Sequence, residues 1–467
     1  MEAIFWVNFY IEYNAQETTT NYLNQSLYRF SMKILLIGNG AREHVIAETL
    51  KKSKDTILYS YLKSKNPGII SLSKGFEVGN YNDLSKIKSY AEKIKPDFAF
   101  IGPEEPLNNG VVDLFKKLKI DAIGPTKSLA RLETSKSFTR NLLRKYKIEG
   151  NPRFGIFNKN NIGNAKNFID SLESCVIKPD GLTGGKGVKV QGDHFKTKKE
   201  ALNYCNEVLQ THQAVIVEEK LEGEEFSLQC LTDGKTVVAT PCVQDHKRAF
   251  EDDKGPNTGG MGSYSCENHL FPFLTKKDVE EGLKMTQKVA DAIYKETNDF
   301  YKGVMYAGLI KTKNGVKLLE YNARFGDPEA MNVLPLMEND FVDVCNAIIS
   351  QQLHKIKIKF QNKATVCKYL VPNGYPNNPL ANQKIEIKKT PSNARIYYAS
   401  VEQREGNLYT TSSRAIACLG IAENLEKAEK IAEQATSSVK GKLFHRKDIG
   451  TKKLVEKRIR HMKEILS

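Results

Sequence analysis

A buried strand that ends in glycine constrains the fold of this chain most strongly. Residues 33–38 read Lys-Ile-Leu-Leu-Ile-Gly, a continuous apolar run typical of a parallel strand covered on both faces. A helix to about Lys52 follows, and predicted strands and helices then alternate as far as residue 125. This alternation predicts a doubly wound parallel α/β domain over residues 32–126, with its ligand site beyond the carboxyl ends of the strands.

Two glycine-containing loops fall at that edge of the predicted sheet. Residues 38–44 (Gly-Asn-Gly-Ala-Arg-Glu-His) lead from the first strand into a helix, and residues 102–105 halt a later strand. The spacing in the first loop departs from the dinucleotide fingerprint because Glu43 stands at the third glycine position. The loop suits a phosphate group at a helix N-terminus. Simple strand-to-helix packing explains it equally well.

The chain is longer than this domain requires, because 467 residues are too many for one compact core. Residues 127–467 read as α+β structure without repeats, so the predicted fold class is α/β and α+β multidomain. Residues 1–31 stand apart, since one apolar run and a polar stretch lack the features of a signal peptide. We expect Met32 to be the functional start and residues 1–31 to be a disordered extension.

Cysteine usage and charge narrow the class of protein. The eight cysteines are scattered and form no CxxC pair, which predicts reduced thiols and favours a cytoplasmic location. No run of about 18 apolar residues occurs, so we expect no membrane span. The net charge of +15 attracts either phosphorylated small molecules or nucleic acid. Only residues 440–463 are densely basic, and a solvated basic tail helix is favoured over RNA binding.

Another glycine-rich loop, residues 180–187 (Asp-Gly-Leu-Thr-Gly-Gly-Lys-Gly), lies between two predicted strands. It is not a Walker A sequence, because that motif needs glycine in place of Asp180 and Ser or Thr in place of Gly187. Backbone N–H groups on such a loop can close over a triphosphate, with Lys178 and Lys186 supplying charge. A structural hairpin is the alternative.

The apolar strand that begins at Val215 ends in acidic residues, Glu218 and Glu219. We interpret it as an edge segment that can hold adenine by its backbone while a neighbouring acid binds the ribose hydroxyls. Taken alone, it is also consistent with an ordinary strand and turn.

The block at residues 318–329 (Leu-Leu-Glu-Tyr-Asn-Ala-Arg-Phe-Gly-Asp-Pro-Glu) is the most informative. In an extended segment Glu320, Asn322 and Arg324 point to the same side, since side chains alternate with a period of two. Two oxygen ligands without His or Cys suit Mg²⁺ shared with nucleotide phosphates. Arg324 can stabilise developing negative charge. A surface strand is the alternative.

Two further polar blocks lie close together, residues 245–248 (Asp-His-Lys-Arg) and 255–262 (Gly-Pro-Asn-Thr-Gly-Gly-Met-Gly). Four glycines and a proline in eight residues predict that the second block is neither helix nor regular strand. Long ordered glycine loops usually carry function. Beside the basic block, we interpret it as a substrate-binding loop.

Together these blocks resemble the ATP-grasp superfamily and, within it, the phosphoribosylamine–glycine ligases (glycinamide ribonucleotide synthetases). The similarity runs from Met32 to about Gly450, through the landmarks GNGAREH, GPEEPL, ETSKSF, IKPDGLTGGKGV, QDHKR, GPNTGGMG, EYNARFGDPE and HRKDIG. The resemblance implies a two-lobed ATP-grasp core over residues 127–358 with a lid subdomain at about 152–222. A small α+β domain with a basic tail would occupy residues 359–467.

The resemblance also implies a set of residues for each ligand. ATP would contact Lys136, Lys178, Gly184, Gly185, Lys186, Gly187, Glu218, Glu219, Lys220, Leu221 and Glu225. Mg²⁺ or Mn²⁺ would bind Glu320 and Asn322. The other substrates would contact Gly38, Asn39, Gly40, Ala41, Glu104, Arg248, Asn257, Thr258, Gly259, Gly260, Asp327 and Glu329. The catalytic residues would be Asp245, Lys247 and Arg324.

The implied reaction is the ATP-dependent joining of glycine to 5-phospho-D-ribosylamine through glycyl phosphate. Its products would be glycinamide ribonucleotide, ADP and phosphate, in de novo purine biosynthesis. The partners would then be small molecules, with no nucleic acid, and we expect a monomer. The alternatives are another ATP-grasp carboxylate–amine ligase and, from a different class, a basic nucleotide- or RNA-binding protein.

The chain departs from the family pattern at two places inside the similar region. Ala41 stands where a glycine is commoner in the first loop, which makes backbone approach to a phosphate slightly tighter. Ser412-Ser413-Arg414 stands where a Gly-Gly-Arg segment is expected. Family contacts are therefore not carried over to residues 412–414.

Overall fold

The computed structural model describes residues 31–182 and 187–467. Residues 32–123 form five parallel strands in the order β3-β2-β1-β4-β5, which confirms the predicted doubly wound domain. The strands are β1 (Met32–Ile37), β2 (Thr56–Leu62), β3 (Gly75–Val78), β4 (Phe98–Ile101) and β5 (Asp121–Ile123). The helices are α1 (Ala41–Leu50), α2 (Pro67–Leu72), α3 (Leu84–Ile94), α4 (Glu104–Asn108) and α5 (Val111–Lys117). The strand order reverses between β1 and β4, so the loops that follow them open at one crevice.

Two short helices lead out of this domain, α6 (Arg131–Thr134) and α7 (Lys136–Lys145). The sequence predicts one helix over residues 129–146, and that prediction is wrong at Ser135. Ser135 adopts an extended conformation (φ −140°, ψ 104°), and its side chain caps α7 by accepting a hydrogen bond from the Phe138 N–H. Such a serine cap satisfies one N–H of the first helical turn.

The lid subdomain has a four-stranded antiparallel sheet in the order β6-β9-β7-β8 and a hydrophobic cluster of its own. Its elements are β6 (Phe154–Phe157), α8 (Ala165–Asp170), β7 (Cys175–Pro179), β8 (Lys189–Val190), α9 (Lys198–Thr211) and β9 (Val215–Glu219). The expectation of an edge segment at Val215 is wrong, since β9 pairs with β6 on one side and β7 on the other.

The larger lobe contains a sheet in the order β11-β10-β16-β17 with the long helix α10 against it. Its elements are β10 (Glu224–Thr232), β11 (Val237–Ala239), β12 (Gln244–Asp245), β13 (Arg248–Phe250), β14 (Lys254–Asn257), β15 (Gly262–Ser265), α10 (Lys276–Thr297), β16 (Gly303–Thr312), β17 (Gly315–Asn322), α11 (Ala330–Val333) and α12 (Phe341–Ile349). A reciprocal capping box between Thr275 and Asp278 begins α10.

The glycine-rich block at 255–262 contains regular strand, contrary to the sequence prediction. Lys254–Asn257 pairs as β14 with β13 in a two-stranded ribbon. Gly262 begins β15, where a Cβ would lie 2.2 Å from the Cys367 carbonyl oxygen. Pairing with other strands therefore overrides the low local preference of glycine and proline for strand structure.

The C-terminal region completes a sheet begun by the larger lobe. The order β12-β15-β18-β23-β20 joins strands from both sides of residue 358. The elements are β18 (Ala364–Pro372), β19 (Lys384–Ile387), β20 (Ala394–Tyr398), β21 (Val401–Arg404), β22 (Asn407–Thr410), β23 (Ile416–Ala422), α13 (Leu425–Ser438), β24 (Val439–Lys440), β25 (Leu443–Phe444) and α14 (Lys452–Leu466). A strand predicted over residues 395–401 is divided between β20 and β21.

The basic tail contains the predicted helix, α14, which buries Leu454, Val455 and Met462. On its polar side, His461 and Arg458 contact the buried carboxylate of Glu224. Across residues 31–182 and 187–467, no helix has the length and apolar character needed to span a bilayer.

Candidate active site

A cleft of about 340 Å³ lies where the lid, the larger lobe, the N-terminal domain and the C-terminal region meet. Many of the site residues predicted from the sequence line this one cleft. They are Glu104, Lys136, Lys178, Glu218, Asp245, Lys247, Asn257, Thr258, Gly259, Glu320, Asn322, Arg324, Asp327 and Glu329. The structure thus brings together side chains that are up to 225 positions apart in sequence.

Two lysines stand on the lid side of the cleft. Lys136 Nζ donates to the Gly181 carbonyl oxygen at 3.0 Å, at the base of the glycine hairpin. Lys178 Nζ lies 2.8 Å from Glu218 Oε2 and donates to the Leu319 carbonyl oxygen at 3.1 Å. Burial lowers the pKa of Lys178, whereas Glu218 opposes that change. Gly184, Gly185 and Lys186 lie outside the described residues.

The Glu218 carboxylate is held in a buried ion pair. Arg140, which the sequence analysis missed, donates to it from Nε at 2.6 Å and from Nη2 at 2.9 Å. Arg140 also donates to the carbonyl oxygens of Leu318 and Leu319. Although burial opposes it, Arg140 and Lys178 lower the pKa of Glu218 to about 2. The Glu218 side chain therefore fixes the lid strand β9 against α7 and β17.

Glu320, Asn322 and Arg324 face the cleft together at the end of β17. Asn322 Nδ2 lies 3.5 Å from Glu320 Oε1, and Arg324 Nη2 donates to Asn322 Oδ1 at 3.2 Å. Burial raises the pKa of Glu320, but Lys247 and other lysines outweigh it and lower the pKa. The Asn322 amide turns its nitrogen toward Glu320 and its oxygen toward Arg324. A carboxylate and an amide oxygen are a ligand pair that Mg²⁺ or Mn²⁺ accepts, and rotation of the Asn322 amide would present that oxygen.

Protein ligands for a metal ion are few at this cleft. Within residues 31–182 and 187–467, no group of three His, Cys, Asp or Glu side chains is placed to hold a metal ion. A divalent ion at Glu320 and Asn322 would need further oxygen atoms, which nucleotide phosphates and water can provide.

Arg324 lies between two carboxylates. Its Nε donates to Glu104 Oε2 at 3.1 Å, and its Nη2 lies 3.0 Å from Glu133 Oε1. Burial opposes a charged Glu104, but Arg324 and Arg42 lower its pKa to about 2. Neither Glu133 nor Arg42 is among the predicted site residues, although both stand in quoted blocks, ETSKSF and GNGAREH, because their charged partners lie far away in the sequence.

The first glycine loop is organised by Glu43. One carboxylate oxygen, Oε2, accepts hydrogen bonds from the Asn39 N–H at 3.2 Å and the Gly40 N–H at 2.6 Å. The Gly38 N–H donates to the Tyr61 carbonyl oxygen. In this conformation, three N–H groups predicted to face a phosphate already have protein partners. The first turn of α1, beginning at Ala41, leaves N–H groups without partners inside the helix.

The block at 245–248 is divided between the cleft and its rim. Asp245 and Lys247 line the cleft, and burial together with Glu329 raises the pKa of Asp245 well above its ordinary value. Lys247 Nζ lies 3.7 Å from Glu225 Oε2. Arg248 does not line the cleft, because its guanidinium pairs with Asp193 of the lid at 2.7 Å.

Hydrogen bonds hold the polar residues of the second block and its neighbours in place. The Thr258 side chain donates to the Lys247 carbonyl oxygen at 2.8 Å, and the Gly260 N–H donates to Thr258 Oγ1 at 3.0 Å. Tyr306 Oη donates to Glu329 Oε1 at 2.8 Å. Glu329 is almost fully buried, so its carboxylate is fixed at the wall of the cleft.

Arg414 of the C-terminal region also lines the cleft. Its Nη1 donates to the carbonyl oxygens of Gly259, Gly260 and Asp327 at 2.6, 3.0 and 3.0 Å. Its Nη2 lies 3.3 Å from Asp327 Oδ1, and its guanidinium lies 4.4 Å from the centre of the Tyr369 ring. Residues 412–414 were not among the predicted site residues because of the two serines, yet Arg414 joins the loops at 255–262 and 324–329.

The remaining residues of the predicted set do not line this cleft in the described part of the chain. They are Gly38, Asn39, Gly40, Ala41, Gly187, Glu219, Lys220, Leu221, Glu225, Arg248 and Gly260. Three of them border it: Glu225 contacts the lining residue Lys247, Gly260 contacts the lining residue Arg414, and Gly187 precedes the lining residue Val188.

A two-lobed core whose lid and larger lobe enclose lysines and a carboxylate–amide pair, Glu320 and Asn322, defines an ATP-grasp protein. Family models match residues 32–133 (phosphoribosylglycinamide synthetase, N domain), 134–330 (ATP-grasp (A) domain) and 365–452 (C domain). The chain belongs to the phosphoribosylglycinamide synthetase family.

Individual relatives agree with this family. The phosphoribosylamine–glycine ligase of Methanocaldococcus jannaschii is 49% identical over 446 residues, covering 93% of this chain and 100% of the relative. The crystal structure of the phosphoribosylamine–glycine ligase from Thermotoga maritima matches this chain with a TM-score of 0.74 at 27% identity. The match covers 89% of this chain and 100% of the Thermotoga chain. The biotin carboxylase domain of Hydrogenobacter thermophilus 2-oxoglutarate carboxylase, solved with MgADP, shares the fold at 14% identity, with a TM-score of 0.69 and coverages of 93% and 94%.

Proposed function

We propose that this protein is an ATP-dependent ligase that joins glycine to 5-phospho-D-ribosylamine, giving glycinamide ribonucleotide, ADP and phosphate in purine biosynthesis. The observation that carries the proposal is the identity of 49% with a phosphoribosylamine–glycine ligase along the whole of that relative. The cleft supports it, since the residues it gathers carry the charges that phosphoryl transfer requires.

ATP would lie between the lid and the larger lobe. Lys136 and Lys178 line the cleft and would neutralise its phosphates. The glycine loop at 180–187 would cover them. Glu320 and Asn322 would hold Mg²⁺ or Mn²⁺, which would neutralise charge on the phosphate oxygens. The end of β9, residues 218–221, would border the adenine, with Glu225 near the ribose.

The other two substrates would occupy the opposite end of the cleft. Glu104 and the first turn of α1 lie toward the N-terminal domain, which suits the ribose and phosphate of phosphoribosylamine. Glycine would lie near Lys247, Arg324 and the Asn257–Thr258 loop. This arrangement places the glycine carboxylate between the two larger ligands.

The reaction would proceed in two transfers. The glycine carboxylate attacks the γ-phosphorus of ATP and releases ADP, which gives glycyl phosphate. The ribosylamine nitrogen then attacks the glycyl carbonyl carbon, displaces phosphate and loses a proton, which gives the amide. Arg324 and Lys247 would orient the carboxylate and stabilise developing charge, so that positioning supplies most of the rate enhancement. A closed lid would exclude water that otherwise hydrolyses the acyl phosphate.

Release of phosphate with each substrate omitted in turn tests this proposal. We expect turnover only with ATP, glycine and phosphoribosylamine together. Turnover with bicarbonate or D-alanine instead would favour another ATP-grasp ligase. Salt-sensitive retention of RNA without any ATP turnover would favour a nucleic-acid-binding protein. A monomeric state and a cytoplasmic location remain predictions, which light scattering and fractionation of cells test.

A further inference from the structure

Five charged side chains of alternating sign form a chain across the junction between the N-terminal domain and the larger lobe. In order they are Glu133, Arg324, Glu104, Arg42 and Glu43. The separations between charged atoms are 3.0, 3.1, 3.9 and 2.5 Å. Arg324 is the member beside the proposed metal ligand Asn322, and Glu104 is the member beside the proposed ribose site.

The two carboxylates that flank Arg324 are held very differently. The Glu133 side chain is 6% exposed, and its second oxygen, Oε2, accepts a hydrogen bond from the Ala323 N–H at 2.7 Å. The Glu104 side chain is 36% exposed and stands at the start of α4, facing the cleft. Burial raises the pKa of Glu133, and the charge of Arg324 opposes that rise.

We propose that Glu133 is a positioning residue that keeps Arg324 paired and in place while Glu104 exchanges Arg324 for the ribose hydroxyls of phosphoribosylamine. The proposal rests on the function proposed above. Arg324 is largely buried, and a buried charge that loses its partner is strongly destabilised. With Glu133 fixed by the Ala323 N–H, Arg324 retains one carboxylate whichever partner Glu104 takes. Without the charge of Glu133, Arg324 would compete with the substrate for Glu104.

Glu133→Gln tests this role, because the amide oxygen can still accept the Ala323 N–H but carries no charge. We expect the KM for phosphoribosylamine to rise about tenfold and the KM for ATP to change less than threefold. The matched control is Asp278→Asn, since Asp278 is also buried and ion-paired, with Lys311, but stands outside the cleft. A purely structural loss would lower the melting temperature of both variants and leave both KM values unchanged.

Binding of the product, glycinamide ribonucleotide, provides a second measurement by calorimetry. In wild-type protein Glu133→Gln should weaken binding about tenfold. In an Arg324→Gln background the same substitution should weaken it less than twofold, because the Arg324 guanidinium that competes for Glu104 is absent. An equal loss in both backgrounds, or unchanged KM values in a folded Glu133→Gln enzyme, would overturn the proposal.

Two further outcomes keep the test decisive. If Glu133→Gln does not fold, Glu133→Asp replaces it, because its carboxylate is one methylene shorter and cannot keep the contacts of 2.7 Å with the Ala323 N–H and 3.0 Å with Arg324 from the same backbone position. An Asp variant with wild-type KM values would contradict the positioning role. If the wild-type enzyme itself neither turns over phosphoribosylamine nor binds the product, the proposed function fails and this inference falls with it. If the wild-type enzyme turns over phosphoribosylamine but the Glu133 variants keep wild-type KM values, only the role proposed for Glu133 is rejected.

Discussion

Replacing Glu218 by Gln should loosen the attachment of the lid to the rest of the molecule. The Glu218 side chain is 4% exposed and accepts hydrogen bonds from Arg140, with Lys178 at 2.8 Å. Its pKa is about 2, against an ordinary value of 4.5. At about 1.4 kcal/mol for each pKa unit, this difference corresponds to roughly 3 kcal/mol. Breaking one partner out of a buried ion pair costs a similar amount, about 3–5 kcal/mol.

The sign of the pH dependence follows from the same pKa values. Because the folded pKa of Glu218 is lower than its unfolded value, the stabilisation is complete above pH 4.5 and is lost as the pH falls toward 2. We therefore expect the largest difference between wild type and Glu218→Gln at neutral pH and a shrinking difference below about pH 4.5.

Differential scanning calorimetry measures this effect. At pH 7 the first unfolding transition of Glu218→Gln should lie about 6–12 °C below that of wild type, taking about 2–4 °C for each kcal/mol. Glu207→Gln is the control, since Glu207 is an exposed acid on lid helix α9. A difference of less than 2 °C at pH 7, or one that does not shrink between pH 5 and pH 3, would refute the role assigned to this ion pair.

Three substitutions in the cleft give further predictions. Glu320→Gln should lower kcat at least about a hundredfold without changing the melting temperature, because it removes a proposed metal charge without changing the shape of the side chain. Unchanged activity at limiting Mg²⁺ would count against the role of Glu320 as a metal ligand. Glu338→Gln is the control. Arg324→Lys should lower kcat/KM about tenfold or more, since lysine cannot reproduce the planar fork that reaches two carboxylates; steady-state kinetics with near-wild-type values would contradict this. Arg414→Gln should lower the melting temperature by about 6–12 °C, since Asp327, with a side chain only 16% exposed, loses its charged partner. A shift below 2 °C would argue against a role of Arg414 in holding the two loops together.

Local rules predicted the parts of the site that depend on one stretch of chain. The period of two in an extended segment predicted that Glu320, Asn322 and Arg324 share a face, and the structure has all three in the cleft. The parallel domain followed from alternating strands and helices, which need only near neighbours. Strand ends and helix breaks were less predictable, as Ser135 illustrates. A serine side chain caps a helix only when the N–H groups of the following helical turn point toward it, as the Phe138 N–H does here.

The missed residues have a common physical origin. Arg140, Glu133 and Arg42 act through partners that stand 78, 191 and 283 positions away, so the sequence does not show which group each of them contacts. Arg414 stood in a segment that departed from the family pattern, but the two neighbouring serines are exposed and only the arginine reaches the cleft. The requirement that a buried charge be paired reveals such residues once the fold is known.

The C-terminal region supports the cleft, because the strand β15 that follows the 255–262 loop pairs with it. Gly262–Ser265 pairs directly with β18 beyond residue 358, and Asp245 pairs with Ser263 on the other side of the same strand. Removing the C-terminal region would therefore expose the backbone groups of β15 and would also remove Arg414 from Asp327. The sheet β12-β15-β18-β23-β20 therefore determines both where these loops lie and which side chains they present to the cleft. The loops at 255–262 and 324–329, which we propose to bind substrate, thus owe their mutual placement to a region from which, among the described residues, Arg414 alone lines the cleft.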